Sequence, residues 1–392
     1  TFMKYIFSLL LVLIFQINSS SQGIEFFHGT WKEALEKAKA EEKVLFVDCY
    51  ATWCGPCKMM ASRVFTLDEV GEFFNQNFIN LKLDMEQMDG RKFESNYPVS
   101  AYPTLYFLDG EGKILKKVRG AQQKESLLQL AEEAIKANDQ SGKYAEMYEG
   151  GNRDFDVVLK YITTLNSAGK PSLKIANEYL QEYGSTLDES QRSKILFNAC
   201  TEADSKIFNE MIDHKKNILK YYTEEEWNNK IIAACNETVK KSIDFEMKDL
   251  LDEALDKSKY ADKSTAEKFR YQAGMTYGYK MGDEKMYYEN AKNLYKKIGK
   301  NDPQVLSQLV VDLNANHANN EDCRKLAEEC GEKLYKGNKN GDNLILYAKT
   351  LVANGKTNEA MKLTDEAIEK NADNPSEMQK LNALKRFLDA KM

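Results

Sequence analysis

Two cysteines separated by two residues, Cys54 and Cys57, carry the sharpest chemical signal in this chain of 392 residues. They sit in the run Trp53-Cys54-Gly55-Pro56-Cys57-Lys58, just after the apolar run Val44-Leu45-Phe46-Val47. A strand that ends at such a pair and opens a helix places the first thiol at a helix N-terminus. Unpaired backbone N–H groups and the helix dipole favour an anion there. This lowers the thiol pKa and yields a nucleophilic thiolate near neutral pH. The second thiol, one turn away, is close enough to resolve a mixed disulfide. Pro56 is tolerated because the early helix positions have no intrahelical N–H bond to lose. Asp48 lies inside the longer β-branched and aromatic run Lys43 to Tyr50, where a carboxylate is costly unless it has a use. Two readings follow from its position: an exposed strand end, or a buried proton acceptor behind the cysteine pair.

These residues are carried by a predicted series of alternating elements. Glu25-Phe26-Phe27 reads as a short strand and 31–40 as a helix with Trp31, Leu35 and Ala38 on one face. The stretch 43–50 is long and apolar enough for a central strand buried on both faces. A helix is expected from Cys54 to about Val64, and Thr66 to Glu69 fits a capping box restarting a helix. Phe78 to Leu83 alternates as a strand, and 91–96 is a short helix ended by Pro98. Tyr102-Pro103 opens the strand 104–108, since a proline at a strand's first residue donates no ladder bond. Asp109 to Gly112 is a hairpin turn, 113–118 the return strand and 122–137 a closing helix. The order predicts a mixed sheet with helices on both faces, an α/β fold.

On these residues the stretch 24–137 resembles the thioredoxin family. The resemblance rests on Trp53 to Lys58, Asp48 six residues before Cys54, Pro103-Thr104, and Gly120 after the last strand. The helix with Trp31 and the insertion at 65–69 are most similar to thioredoxin-like domains of exported bacterial proteins, such as the C-terminal domain of DsbD. The resemblance implies that Cys54 attacks, Cys57 resolves and Asp48 accepts the proton of Cys57. It also implies a cis Tyr102-Pro103 bond facing the cysteines. Trp53, Gly55, Pro56, Tyr102 and Pro103 would then contact substrate, with the backbone of Tyr102 pairing to a client strand. Thioredoxins place a lysine beside the buried Asp; here the matching position falls on Asn80, so Asp48 is expected to lack a cationic neighbour.

The N-terminus adds a compartment. Met3, the expected initiator, and Lys4 precede an apolar run from Ile6 to Ile17, then Asn18-Ser19-Ser20-Ser21. About a dozen apolar residues are short for a membrane span, and the pattern is that of a secretory signal peptide over 1–21. An uncleaved anchor is the competing reading. Export points to the periplasm. The seven cysteines, at 49, 54, 57, 200, 235, 323 and 330, are too scattered for a disulfide framework. The five outside the pair read as small buried hydrophobes. A net charge of −6 offers no basic stripe for a nucleic acid. His28, His214 and His317 are isolated, so neither a metal nor a cofactor is expected.

Beyond the polar linker 138–142 the pattern turns to helices alone, giving a thioredoxin-like domain over 22–139 and an α-helical domain over 140–392. Candidate helices are 154–167, 172–183, 187–220 broken near Ala203, 223–240, 243–258, 264–280, 284–299, 303–315, 320–337, 343–354, 357–370 and 375–390. Leu344, Tyr347-Ala348, Leu351, Gly355, Ala360 and Ala367 resemble a tetratricopeptide unit. Gly282 and Gly355 are two periods apart. A tetratricopeptide-like solenoid over 264–375 and an irregular bundle both remain open. Tyr221, Tyr222, Trp227, Tyr271, Tyr277, Tyr279, Tyr287 and Tyr288 read either as packing between helices or as a peptide-binding face.

The leading expectation is an exported thiol–disulfide oxidoreductase that reduces disulfide-bonded client proteins and is recharged by a membrane electron donor of the DsbD type. The Gly-Pro dipeptide resembles that of reducing thioredoxins, and it tunes which redox form is stabilised. The competing expectation is a helical-repeat scaffold whose thioredoxin-like part mainly holds or presents clients.

Overall fold

The computed structural model describes residues 23–316 and 320–392. The expected signal peptide over 1–21 and His317 lie outside the described residues. The described chain forms two compact units, which part between Ser172 and Leu173.

The first unit is built on a four-stranded mixed sheet in the order β2-β1-β3-β4. Strand β1 (Val44–Tyr50) runs parallel to β2 (Phe78–Asp84) and antiparallel to β3 (Thr104–Leu108). Strand β4 (Ile114–Arg119) completes the sheet antiparallel to β3. Because side chains alternate along a strand, β1 serves two cores at once. Leu45, Val47 and Cys49 join Trp31, Ala34 and Ala38 of α1 (Trp31–Glu41) and Phe93 of α4 (Met88–Glu94). Val44 and Phe46 join the opposite core, with Met60 of α2 (Gly55–Arg63), Phe74 of α3 (Asp68–Asn77) and Leu127 of α5 (Lys124–Ala137). That second core is an aromatic cluster, in which Phe46 lies 4.9 Å from Phe74 and 5.1 Å from Phe107, centroid to centroid. Such burial on both faces explains the near-continuous apolar run of β1.

Two local expectations are corrected. Glu25 to Phe27 is not a strand; its backbone lies along β2 through single bonds, Phe27 N–H to Asn80 O and Asn80 Nδ2 to Glu25 O. Thr66 does not cap α3. Leu67 occupies the N-cap without a side-chain bond, and the Thr66 hydroxyl donates back to Ser62 O.

The unit does not end at the polar linker. Helices α6 (Ser141–Glu149) and α7 (Phe155–Ser167) belong to it, and α6 falls in a stretch the sequence pattern leaves without a helix. They are tied to the end of α1 by Glu42. This residue caps α1 in a left-handed conformation, φ 54°, a costly position for a residue with a Cβ. Its carboxylate accepts from Lys143 (2.9 Å), Lys160 (2.7 Å) and the Tyr144 hydroxyl (2.8 Å). Burial raises the pKa of Glu42, but these three donors outweigh it and hold the group at about 2.

The second unit consists of helices: α8 (Leu173–Tyr183), α9 (Glu189–Ala199), α10 (Lys206–Asp213), α11 (Lys215–Ile218), α12 (Glu224–Asp244), α13 (Lys248–Lys257), α14 (Lys263–Met281), α15 (Glu284–Lys297), α16 (Pro303–Asn316), α17 (Glu321–Gly337), α18 (Gly341–Ala353), α19 (Thr357–Lys370) and α20 (Pro375–Asp389). Consecutive members pack on each other, α14 on α15, α16 on α17 and α18 on α19. The break expected near Ala203 falls between α9 and α10. Among the described residues no helix is long and apolar enough to cross a membrane.

Candidate active site

Helix α2 begins just beyond the C-terminal end of the interior strand β1. Cys54 is its N-cap, in extended conformation, and Gly55 and Pro56 fill the first two helical positions. The N–H of Cys57 donates to Cys54 Sγ at 3.1 Å. The sulfur thus takes the place that a serine or aspartate oxygen holds in an ordinary helix cap. The same N–H and the helix dipole can stabilise a thiolate on Cys54 once the pair is reduced. In the structure the two sulfurs are joined, S–S 2.03 Å, with the α-carbons 5.3 Å apart.

Exposure does not separate the two cysteines, which are 3% and 4% exposed. Their surroundings do. Cys54 lines a cleft of about 300 Å³ with Trp53, Gly55, Pro56 and the segment Val99 to Tyr102, and Cys57 does not. The Tyr102-Pro103 bond on the far wall is cis. Tyr102 and Trp53, both lining the cleft, meet edge to face at 5.8 Å between centroids. Trp53 is 66% exposed, and its indole N–H donates to Glu86 Oε1 at 2.9 Å. Its orientation is thereby set although its face is open. Tyr102 makes no backbone–backbone hydrogen bond within the described residues, because the β3 ladder begins at Thr104. An extended client chain laid in the cleft can therefore pair with Tyr102.

Asp48 is 1% exposed, so of its two readings the exposed strand end is excluded. It shares the sheet face of Val44 and Phe46, the face that α2 covers through Met60. Neither carboxylate oxygen has a hydrogen-bond partner among the described residues. Burial raises its pKa to about 7, against a smaller opposing pull from the Lys82 ammonium. A carboxyl group that gains and loses its proton near neutrality can act as base or acid for a buried thiol.

The expectation that Asp48 lacks a cationic neighbour is corrected by the strand register. Asp48 pairs with Lys82, and Asn80 pairs with Phe46. Asn80 spends its amide on Glu25 O and Asn75 Oδ1. The Lys82 ammonium lies 4.8 Å from the Tyr50 ring centroid and 5.9 Å from that of Phe26. It makes no ion pair with Asp48 within 4 Å, so it acts on that carboxyl at longer range. Lys82 was legible as the one charged residue inside the strand Phe78 to Leu83. Equal counts from the two strand starts, Val44 and Phe78, bring it opposite Asp48.

The remaining cysteines are buried away from this cleft. Cys49 faces the opposite core, and Cys200, Cys235, Cys323 and Cys330 lie in the second unit. Burial raises the pKa of each, which makes them poor nucleophiles. Among the described residues no three His, Cys, Asp or Glu side chains are grouped to hold a metal.

Comparison with known proteins agrees with the site. Residues 24–133 match the family described as Thioredoxin. Thioredoxin H1 of Arabidopsis thaliana is 40% identical over 96 residues, which is 24% of this chain and 78% of that protein. A thioredoxin of Staphylococcus epidermidis is 38% identical over 99 residues, 25% of this chain and 88% of its own. Among solved structures, a Bacteroides thetaiotaomicron protein described as a candidate disulphide isomerase shares 41% identity over 29% of this chain and 94% of its own, with a TM-score of 0.27.

Proposed function

The chain belongs to the thioredoxin family through residues 24–133, and from that premise we propose that it is an exported thiol–disulfide oxidoreductase that reduces the disulfides of client proteins. The observation that carries the reading is the Cys54–Cys57 pair at the N-terminus of α2, above a strand whose buried Asp48 carboxyl titrates near neutrality.

The reaction runs from the reduced pair. The Cys54 thiolate, favoured by the Cys57 N–H and the start of α2, attacks one sulfur of a client disulfide lying in the cleft beside Tyr102. A Cys54–client disulfide forms and the other client sulfur leaves as a thiolate, which takes a proton from solvent. Cys57 then passes its proton to Asp48 and attacks Cys54 Sγ. The Cys54–Cys57 disulfide forms, and the second client sulfur leaves with a proton. Two electrons have passed from the pair to the client. Attack is favoured by the thiolate character that the start of α2 gives Cys54, and departure depends on the pKa of the client's own thiol.

Lys4 and the apolar run to Ile17, followed by small residues, support export to the periplasm. A reductant in that oxidising compartment needs a continuing supply of electrons, for which we assign a membrane donor of the DsbD type. The helical residues beyond Ser172, read as tetratricopeptide-like over 264–375, would bind client proteins.

Insulin reduction driven by a small dithiol tests the activity, and an equilibrium titration against glutathione tests its direction. A reductant predicts turnover that is lost in Cys54→Ser and a potential near that of thioredoxin, about −270 mV. Turnover at the wild-type rate in Cys54→Ser overturns the reading, and a potential near about −120 mV makes the protein an oxidant.

A further inference from the structure

The second unit contains a cleft of about 390 Å³ between α14, α15 and α16, within the size range of small-molecule and side-chain pockets. Two polar stripes face each other across it. One is Gln272, Thr276 and Tyr279, at i, i+4 and i+7 along α14; the other is Gln308, Asp312 and Asn316, at i, i+4 and i+8 along α16. Residues at these spacings share one helix face. Met275, Tyr287 and Leu309 supply an apolar floor. Close approach of α14 to α15 is allowed at Gly278, where an added Cβ would stand 2.8 Å from the Tyr287 nitrogen.

Asp312 is the one charged residue lining this cleft among the described residues. Its side chain is half-buried. The hydrogen bond it has is from Gln308 Nε2 to Oδ1, at 2.8 Å. No lysine or arginine of the described residues lies within 4 Å of it. Burial raises its pKa, with Gln308 pulling the other way. A carboxylate taken partly out of water without a counter-ion is costly, and the cost is recovered when a cation enters. Tyr279, 41% exposed, presents its ring on the same cleft, backed by the buried Tyr287 at 6.5 Å between centroids. A carboxylate beside aromatic faces matches a planar guanidinium, which pairs with the one and stacks on the other. The Thr276 hydroxyl donates to Gln272 O and Gln308 Nε2 to Asp312, so the Gln272 amide and the Gln308 side-chain oxygen are the groups that can meet the backbone of an extended chain across the cleft.

We propose that this cleft binds an arginine side chain presented on an extended segment of a protein partner, with Asp312 as its counter-ion. The inference does not use the cysteine pair, so a failed redox assay leaves it standing and a failed binding assay leaves the redox reading standing.

Calorimetric titration of the full oxidised chain with three probes tests it: the capped tripeptide acetyl-Ala-Arg-Ala-amide, the same peptide with neutral citrulline, and agmatine. The arginine peptide is expected to bind roughly tenfold or more tightly than the citrulline peptide and more tightly than agmatine. Asp312→Asn, which keeps the shape and the acceptor for Gln308, is expected to remove the preference for arginine. Equal binding of arginine and citrulline peptides overturns the proposal, as does an absence of binding. Agmatine binding as tightly as the arginine peptide would assign the cleft to a free organic cation and overturn the peptide as occupant. The comparison among probes on the wild-type chain decides even where Asp312→Asn fails to fold.

Discussion

Replacing Asp48 by Asn should change both stability and chemistry, and the stability change can be worked out in advance. Burial lifts the Asp48 pKa from 3.8 to about 7. Three pKa units at 1.36 kcal/mol each make ionised Asp48 a burden of about 4 kcal/mol on the folded state. The sign follows from proton binding. Between about pH 4 and pH 7 the folded state holds this proton and the unfolded state does not, so stability falls as pH rises through that window and levels off above it. Asp48→Asn removes the slope. At pH 8 the variant should be more stable, by less than about 4 kcal/mol, because the buried amide also lacks partners and costs about 1–3 kcal/mol itself. Hydrogen exchange of β1 and β3 amides, which reports opening of the sheet-bearing unit on its own, measures this at pH 5 and pH 8 in both oxidised proteins. A difference between wild type and variant that stays constant across that range would refute the buried, ionising carboxyl. Loss of the base should also slow attack by Cys57 on the mixed disulfide by about 10²-fold or more, read by stopped-flow release of the client thiol.

Further outcomes follow from neighbouring groups. Lys82→Met removes the cation that opposes the rise in the Asp48 pKa, so the pH at which the resolving step is half-maximal should move up; an unmoved pH profile would sever Lys82 from the site. Glu42→Gln should loosen α6 and α7 by about 1–2 kcal/mol, its lysine partners being partly exposed. Since the Glu42 pKa is lowered to about 2, the wild type should lose this contribution as pH falls from about 4.5 towards 2, while Glu42→Gln shows no such loss; exchange rates at α6 and α7 amides check both. Pro56→His places a cation beside the Cys54 thiolate at the start of α2 and should make the pair more oxidising, measured by equilibration with glutathione.

The sheet and its flanking helices were legible in the sequence because each element carries one strong local signal. The apolar run 44–50 is uninterrupted except by Asp48, the cysteine pair marks the start of α2, and Asp109 to Gly112 marks the hairpin. Two of the misreadings concern interactions across the chain. Which β2 residue meets Asp48 is a matter of register, which local pattern does not state, and a slip of two residues exchanged Lys82 for Asn80. Helix α6 went unread because 138–142 has linker composition, and its anchoring depends on Glu42, about a hundred positions earlier. A glutamate at φ 54° is an ordinary exposed residue until Lys143, Tyr144 and Lys160 are brought to it. Thr66 shows the converse: a sequence with the letters of a capping box folds with its hydroxyl turned back to Ser62.

Cys54, which lines the cleft, and Cys57, which does not, divide the work of attack and resolution. Mass spectrometry of the reduced single variants after reaction with a disulfide-bonded peptide tests this division most directly. Cys57→Ala should accumulate a stable adduct on Cys54, and Cys54→Ala should give no adduct on Cys57 at a comparable rate. An adduct forming on Cys57 as fast as on Cys54, or none on Cys54, would contradict it.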